Sequence, residues 1–206
     1  LQLIAETEGE DFYRGELAAQ IAEASRAQGG LMTEEDFASH TPDWVDPISL
    51  EYLGMTLAEI PPNGQGLAAL MALGILEHFD LGALEPDSPQ SLHLQIEAMK
   101  LALADAAEYI SDPEFMREVT WEDLLSPEYL RRRSRLIDRK QAGAHGPGMP
   151  ADHGTVYLTA ADESGMMVSF IQSNFWGFGS GIVVPGTGIS LQNRGQGFSL
   201  QPGHPN

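Results

Sequence analysis

Gly154-Thr155 stands where a Gly/Pro-rich stretch gives way to a strand-like run. A threonine hydroxyl is a weak nucleophile until a base takes its proton. If the chain were cut before Thr155, that residue would carry its own base: a free α-amino group, with an ordinary pKa of about 7.7–8.0. Gly154 lacks a Cβ, so it can take the backbone geometry needed for the Thr155 hydroxyl to attack its carbonyl. An N-to-O acyl shift followed by ester hydrolysis would release the amine. The same pair also reads as a strand threonine after a loop glycine, and on local sequence alone this plainer reading holds.

Other residue sets offer less chemistry. His78, His93, His145 and His153 lack the paired spacing of metal ligands, and with no cysteine there is neither a thiol site nor a disulfide. No metal or cofactor is therefore expected. Asp105 and Glu108 lie three apart on a predicted helix, where paired acids are ordinarily solvated. The glycine-rich runs 61–66 and 177–181 lack the lysine of a phosphate-binding loop. Thirty acidic against 11 basic side chains give a formal net charge of -19, which repels nucleic acid and anionic membrane surfaces. The Arg131-Arg132-Arg133 cluster is expected to pair with nearby acids. No apolar run is long enough to span a bilayer. The absence of cysteine leaves cytoplasm and periplasm equally open.

The elements that must position Thr155 follow from periodicity. Phe12, Leu17, Ile21 and Ala24 predict a helix over 11–28, ended by Gly29-Gly30. Thr33, followed by three acids, reads as a helix cap. Ile48, Leu50 and Tyr52 alternate before a turn at Gly54, predicting a short hairpin with 55–60. A helix is expected over 67–79. Another over 91–109 carries the apolar stripe Leu92, Ile96, Met99, Leu103, Ala106 and Ile110. Ser126-Pro127 starts a basic helix. Beyond residue 142 the stretch 143–154 reads as a linker. Then 155–161, a turn at Asp162-Glu163-Ser164-Gly165, and 166–174 predict a second hairpin. The fold class is α+β, with a helix-rich first part and then antiparallel strands.

Several short motifs occur in one order: Asp11-Phe12-Tyr13-Arg14-Gly15, Gly29-Gly30-Leu31, Asp112-Pro113-Glu114-Phe115, Gly179-Ser180-Gly181, Phe198-Ser199 and Gly203-His204-Pro205-Asn206. In this order, and with Thr155 followed by Asp162 and Gly165, the chain resembles the γ-glutamyltranspeptidase family over essentially its whole length. The resemblance implies the αββα sandwich of N-terminal nucleophile hydrolases, here in part. It implies autocleavage between Gly154 and Thr155, with large and small subunits that stay associated. Residues 1–142 would be the C-terminal part of the large-subunit region, 143–154 the processing linker, and 155–206 the N-terminal part of the small-subunit region.

Carried across by position, the resemblance makes Thr155 the nucleophile. Ser173 falls where the family has a threonine that orients it, a bond a serine can also make. The family asparagine that holds a γ-glutamyl group falls at Phe175, and the acid that holds its α-amino group falls near Gly197. Losing both should weaken γ-glutamyl recognition. Arg194 offers a guanidinium for a carboxylate, Phe175 an apolar wall, and Asn193 stands with them as a substrate-binding candidate. The expected substrate is a small-molecule γ-glutamyl or related acyl amide, with a glutaryl-type acylase or a non-catalytic binding relative as the alternatives. Family members extend past both ends of this sequence and carry there a substrate-gripping arginine and the oxyanion-hole donors. The 206 residues are therefore expected to be inactive alone.

Overall fold

The computed structural model describes residues 1–145 and 155–205. By contact the chain forms two compact units. One comprises Leu1–Asp43 with Ala151–Gln196, and the other Trp44–Pro150 with Gly197–Asn206.

In the first unit, α1 (Gln2–Glu6), α2 (Glu10–Arg14), α3 (Glu16–Ala27) and α4 (Glu34–Ala38) precede the hairpin β3 (Thr155–Ala161) and β4 (Met167–Ser173). The single helix expected over 11–28 is thus two. The break at Gly15 follows from Asp11, whose carboxylate accepts the N–H groups of Glu16 and Leu17 at 3.1 Å each. Those are orphan donors at the start of α3, and the acid also suits the positive end of the helix. A Cβ at Gly15 would collide with the Asp11 side chain, so the motif that begins with Asp11 and ends with Gly15 is a capping device. α4 starts as predicted: the Asp36 carboxylate takes the N–H and hydroxyl of Thr33 at 2.7 and 2.8 Å, and these bonds hold its pKa below the usual range. Ile21 and Ala24 of α3 pack with Val184, flanked by Phe12, Phe37, Ile189 and Leu191.

The second unit holds β1 (Ile48–Tyr52) antiparallel to β2 (Met55–Glu59), then α5 (Gly66–Leu76), α6 (Pro89–Tyr109), α7 (Trp121–Leu125) and α8 (Pro127–Ser134). α5 is its centre: Leu67, Leu70, Met71 and Ile75 are all fully buried. A helix that apolar on every side belongs inside a core. α8 opens with Ser126 at the cap and Pro127 in the first turn, as expected.

α6 corrects the first half of the predicted stripe, whereas Leu103 and Ala106 pack against the core and Ile110 is buried as expected. The buried residues of α6 are Ser91, Leu94, Glu97, Ala98, Leu101, Ala102 and Asp105. Leu92, Ile96 and Met99 are exposed instead. Leu92, Ile96 and Met99 lie two residues out of phase with the buried Leu94, Ala98 and Leu101, about 200° around the helix. The larger apolar side chains marked one face, while the core took the face with two alanines and two acids. Asp105, expected to be solvated, is 5% exposed and bonded to Arg133 at 2.9 Å. Burial raises its pKa, against the pull of the Arg133 guanidinium. Arg133 thus pairs with an acid as predicted, whereas Arg131, Arg132 and Arg135 are exposed.

Candidate functional site

The β3–β4 ladder runs antiparallel with Thr155 opposite Ser173 and Leu158 opposite Phe170. Its register is fixed at the turn. The Asp162 carboxylate accepts the N–H and hydroxyl of Ser164 at 2.8 and 2.6 Å and the N–H of Met166 at 3.1 Å. The Ser164 hydroxyl bond leads in holding the Asp162 pKa below its ordinary value. Gly165 takes the left-handed conformation that closes the turn, at φ 86°. A slip of one residue would turn every side chain of the ladder over. The Asp-x-x-Gly turn therefore decides which residue faces the start of β3, and that residue is Ser173.

Beyond Ser173 the chain makes a corner that gathers the other predicted residues. The Phe175 N–H donates to the Ser173 hydroxyl at 2.9 Å. Phe175 is buried and has φ 80°, a left-handed conformation that bulky side chains rarely take. Its ring meets Trp176 edge-on at 6.0 Å, and the Arg194 guanidinium lies 5.1 Å from the ring centroid. Arg194 also reaches the Ser173 carbonyl at 3.5 Å. Backbone strain at a non-glycine residue persists only where its surroundings impose it, and such residues cluster at functional sites.

Asn193 bonds the segments on either side of this corner. Its Oδ1 accepts the Trp176 N–H at 2.9 Å, and its Nδ2 donates to the Gly179 carbonyl at 3.1 Å. The Ser180 N–H and hydroxyl both donate to the Leu191 carbonyl, at 2.9 and 2.8 Å. The segments 174–181 and 190–194 are thereby fastened together. Asn193 and the Gly179-Ser180-Gly181 motif hold the corner on which Phe175 and Arg194 stand. Gly154 lies outside the described residues.

A polar cluster that the sequence reading missed lies in the second unit. Glu97, 1% exposed, accepts from Lys100 Nζ at 2.6 Å, the Gly143 N–H at 2.9 Å and His145 Nε2 at 2.7 Å. Lys100 also donates to the Gly143 carbonyl. Burial alone would raise the Glu97 pKa. Lys100, the Gly143 N–H and His145 overcome it and leave the carboxyl at about 2. The available signal was an acid and a lysine three apart on α6, on the face the apolar count assigned to solvent. Among the described residues, no group of three or more His, Asp or Glu side chains could hold a metal ion, and no helix is long and apolar enough to cross a membrane.

Comparison with known proteins bears on this geometry. The family model for γ-glutamyltranspeptidase matches residues 1–206. The chain belongs to the γ-glutamyltranspeptidase family. It is 37% identical over 206 residues to a glutathione hydrolase-like YwrD proenzyme of Bacillus subtilis, covering all of this chain and 39% of that protein. It is 38% identical to an oxamate amidohydrolase proenzyme of Klebsiella pneumoniae, over 99% of this chain and 38% of that one. Among solved structures, a cephalosporin acylase from Bacillus halodurans superposes with a TM-score of 0.83 at 52% identity, covering 99% of this chain and 37% of that one. The chain thus spans about two fifths of the length of the family relatives it matches. Like these relatives of the N-terminal nucleophile hydrolase group, it mixes helix and strand.

Proposed function

We propose that the full-length protein is an N-terminal threonine amidohydrolase or acyltransferase, made as a precursor and cut between Gly154 and Thr155. The carrying observation is the ladder register that sets Thr155 opposite Ser173, two residues before the strained Phe175. The curated relatives above are named as proenzymes, which supports a precursor. In maturation the Thr155 hydroxyl attacks the Gly154 carbonyl carbon, the peptide C–N bond breaks, and water hydrolyses the resulting ester. In turnover the freed amine takes the hydroxyl proton as Thr155 attacks the substrate amide. The proton passes to the departing amine, and water or a second amine then releases the acyl group. Ser173 orients the nucleophile. Residues 1–142 belong to the large subunit, 143–154 to the linker and 155–206 to the small subunit, the two remaining associated.

The β3–β4 hairpin supports an αββα sandwich as the complete fold. Leu158, Val168 and Phe170 lie on one face and Met167 and Ile171 on the other, all exposed among the described residues. Strands apolar on both faces are built to be covered on both.

The substrate in this reading is an acyl amide whose acyl part ends in a carboxylate, of glutaryl type, with no α-amino group required. Arg194 supplies the carboxylate partner and Phe175 the apolar wall, while Asn193 holds the corner that carries both. Relatives named as an oxamate amidohydrolase and as acylases support an amide substrate other than glutathione. The 206 residues alone are expected to be inactive. Intact mass spectrometry of the full-length protein tests the cut: two chains meeting at Gly154/Thr155 are expected, and one chain in Thr155→Ala. A folded, uncut wild type would sink the proposal. Matched γ-glutamyl, glutaryl and simple acyl anilides then test the pocket, where preference for γ-glutamyl would contradict the role given to Phe175.

A further inference from the structure

We propose that the end of α8 forms a binding site for a small multivalent anion, held between Arg131 and Arg135 with Arg132 beside them. The sequence concentrates its few cations here. Residues 127–140 hold six of the 11 basic side chains and two of the 30 acidic ones, a local net charge of +4. Five bases and 28 acids, a net -23, are left for the rest of the chain. Arg133 is engaged by Asp105, and Arg139 lies over the Phe79 ring at 5.2 Å. Arg131, Arg132 and Arg135 are exposed, and among the described residues none of the three forms an ion pair or a side-chain hydrogen bond. So acidic a chain could readily have supplied them with partners. The helix dipole explains little of the surplus, because the C-terminus of a helix carries only about half a negative charge.

The three guanidinium groups share one open hollow of about 560 Å³, which Pro127 and Glu128 complete. Glu128 is the one acid of the lining, so three arginines leave the hollow a net +2. Pro127, Arg131 and Arg135 follow at four-residue steps along one side of the helix, about 6 Å apart along its axis. Arg132 stands over the Tyr129 ring at 5.6 Å and also lines a neighbouring hollow with Glu118 and Asp123. It is thus shared with those acids, and Arg131 and Arg135 are the pair left open to a ligand. A guanidinium presents a planar fork of donors that fits two oxygens of a carboxylate or phosphate at once. Two forks a helical turn apart fit a ligand with two or more such groups. The surrounding charge limits its size. A long polyanion would run from the hollow onto a surface that carries the net -23. An anion of a few groups stays within the Debye length, about 8 Å at 0.15 M salt, and meets mainly the local positive charge. Every group named here belongs to the second unit, and the site does not depend on the autocleavage reading.

Isothermal titration calorimetry of the full-length protein near neutral pH tests the site with tripolyphosphate, citrate and orthophosphate. Tripolyphosphate or citrate is expected to bind one to one with Kd below about 1 mM. That binding should be at least about tenfold tighter than for orthophosphate, whose single group can occupy only one fork. Tighter binding of tripolyphosphate assigns the site to phosphorylated ligands, and tighter binding of citrate assigns it to polycarboxylates. Arg131→Gln and Arg135→Gln should each weaken binding about tenfold or more, the worth of one charge-assisted hydrogen bond. Both variants should keep the wild-type urea midpoint, because both side chains are exposed, so a weaker Kd reports the site and not the fold. Arg139→Gln removes the same charge outside the hollow and should change Kd by less than about twofold. The proposal is overturned if neither multivalent anion binds, or if orthophosphate binds as tightly. It is equally overturned if Arg139→Gln weakens binding as much as Arg131→Gln does, since net charge alone would then account for it.

Discussion

The charge on Glu97 sets up a stability difference that depends on pH in a definite direction. Its folded pKa of about 2 lies below the ordinary 4.5, so the unfolded chain takes up the proton first as the solution is acidified. The stabilisation is fully present above about pH 4.5 and is lost as pH falls toward about 2. At about 1.4 kcal/mol per tenfold, that interval corresponds to about 3 kcal/mol. Water around the partly exposed Lys100 reduces the figure toward about 2 kcal/mol. Glu97→Gln keeps the shape and removes the charge. Urea unfolding of both proteins from pH 7 to pH 2.5 isolates the effect, because the other carboxylates are common to both and cancel in the difference. Wild type should be more stable by about 2–3 kcal/mol at pH 7, with the gap closing below pH 4.5. A gap that stays constant through this range, or a variant as stable as wild type at pH 7, would refute the assignment of Glu97 as a buried, fully partnered carboxylate.

Other expectations are equally direct. Leu101→Ala, in the fully buried face of α6, should cost about 2–5 kcal/mol by urea unfolding, whereas Leu92→Ala on the exposed face should change stability by less than about 0.5 kcal/mol. Equal costs would mean that the helix is set in the wrong phase. Asp11→Ala leaves two α3 donors without their acceptor and should lower stability by about 1 kcal/mol, read as a shift of the urea midpoint. Asn193→Ala unfastens the Trp176 N–H, whose amide hydrogen exchange should accelerate at least about tenfold, corresponding to about 1.4 kcal/mol of lost local stability. In the full-length protein, Phe175→Asn places there a residue that tolerates positive φ and can hydrogen-bond an acyl group. It is expected to move the kcat/KM ratio toward γ-glutamyl over glutaryl anilides, and an unchanged ratio counts against the pocket assignment.

Both hairpins, the α4 cap, the α8 start and the Asp162 turn were legible in the sequence because each is a local device: a turn residue or a cap acts within four positions. Ser173 was marked by the family resemblance alone, and its place opposite Thr155 comes from the ladder, which counts residue for residue outward from the turn. Three features were not legible, and for one reason. The Gly15 break, the buried face of α6 and the fastening by Asn193 each depend on a polar side chain satisfied by groups that hydrophobic periodicity does not weigh. Asp105 read as solvent-facing because charge normally is, and Glu97 drew no reading at all, yet their partners sit at Arg133 and at Lys100, Gly143 and His145. Asn193, expected at the substrate, also has a structural role that the sequence does not display: its amide bonds the Trp176 N–H and the Gly179 carbonyl.

The two apolar faces of the β3–β4 hairpin have a colloidal consequence for these 206 residues on their own. The outer edges of β3 and β4 are open ladders among the described residues, and Phe170 and Ile171 project from opposite faces while more than half exposed. Such edges template pairing with further copies. Opposing this is a net charge of -19, which keeps chains apart only over the Debye length, about 30 Å at 0.01 M salt and about 8 Å at 0.15 M. Solubility of the isolated polypeptide is thus governed by ionic strength: repulsion dominates in dilute buffer, and at physiological salt strand edges come within reach of one another.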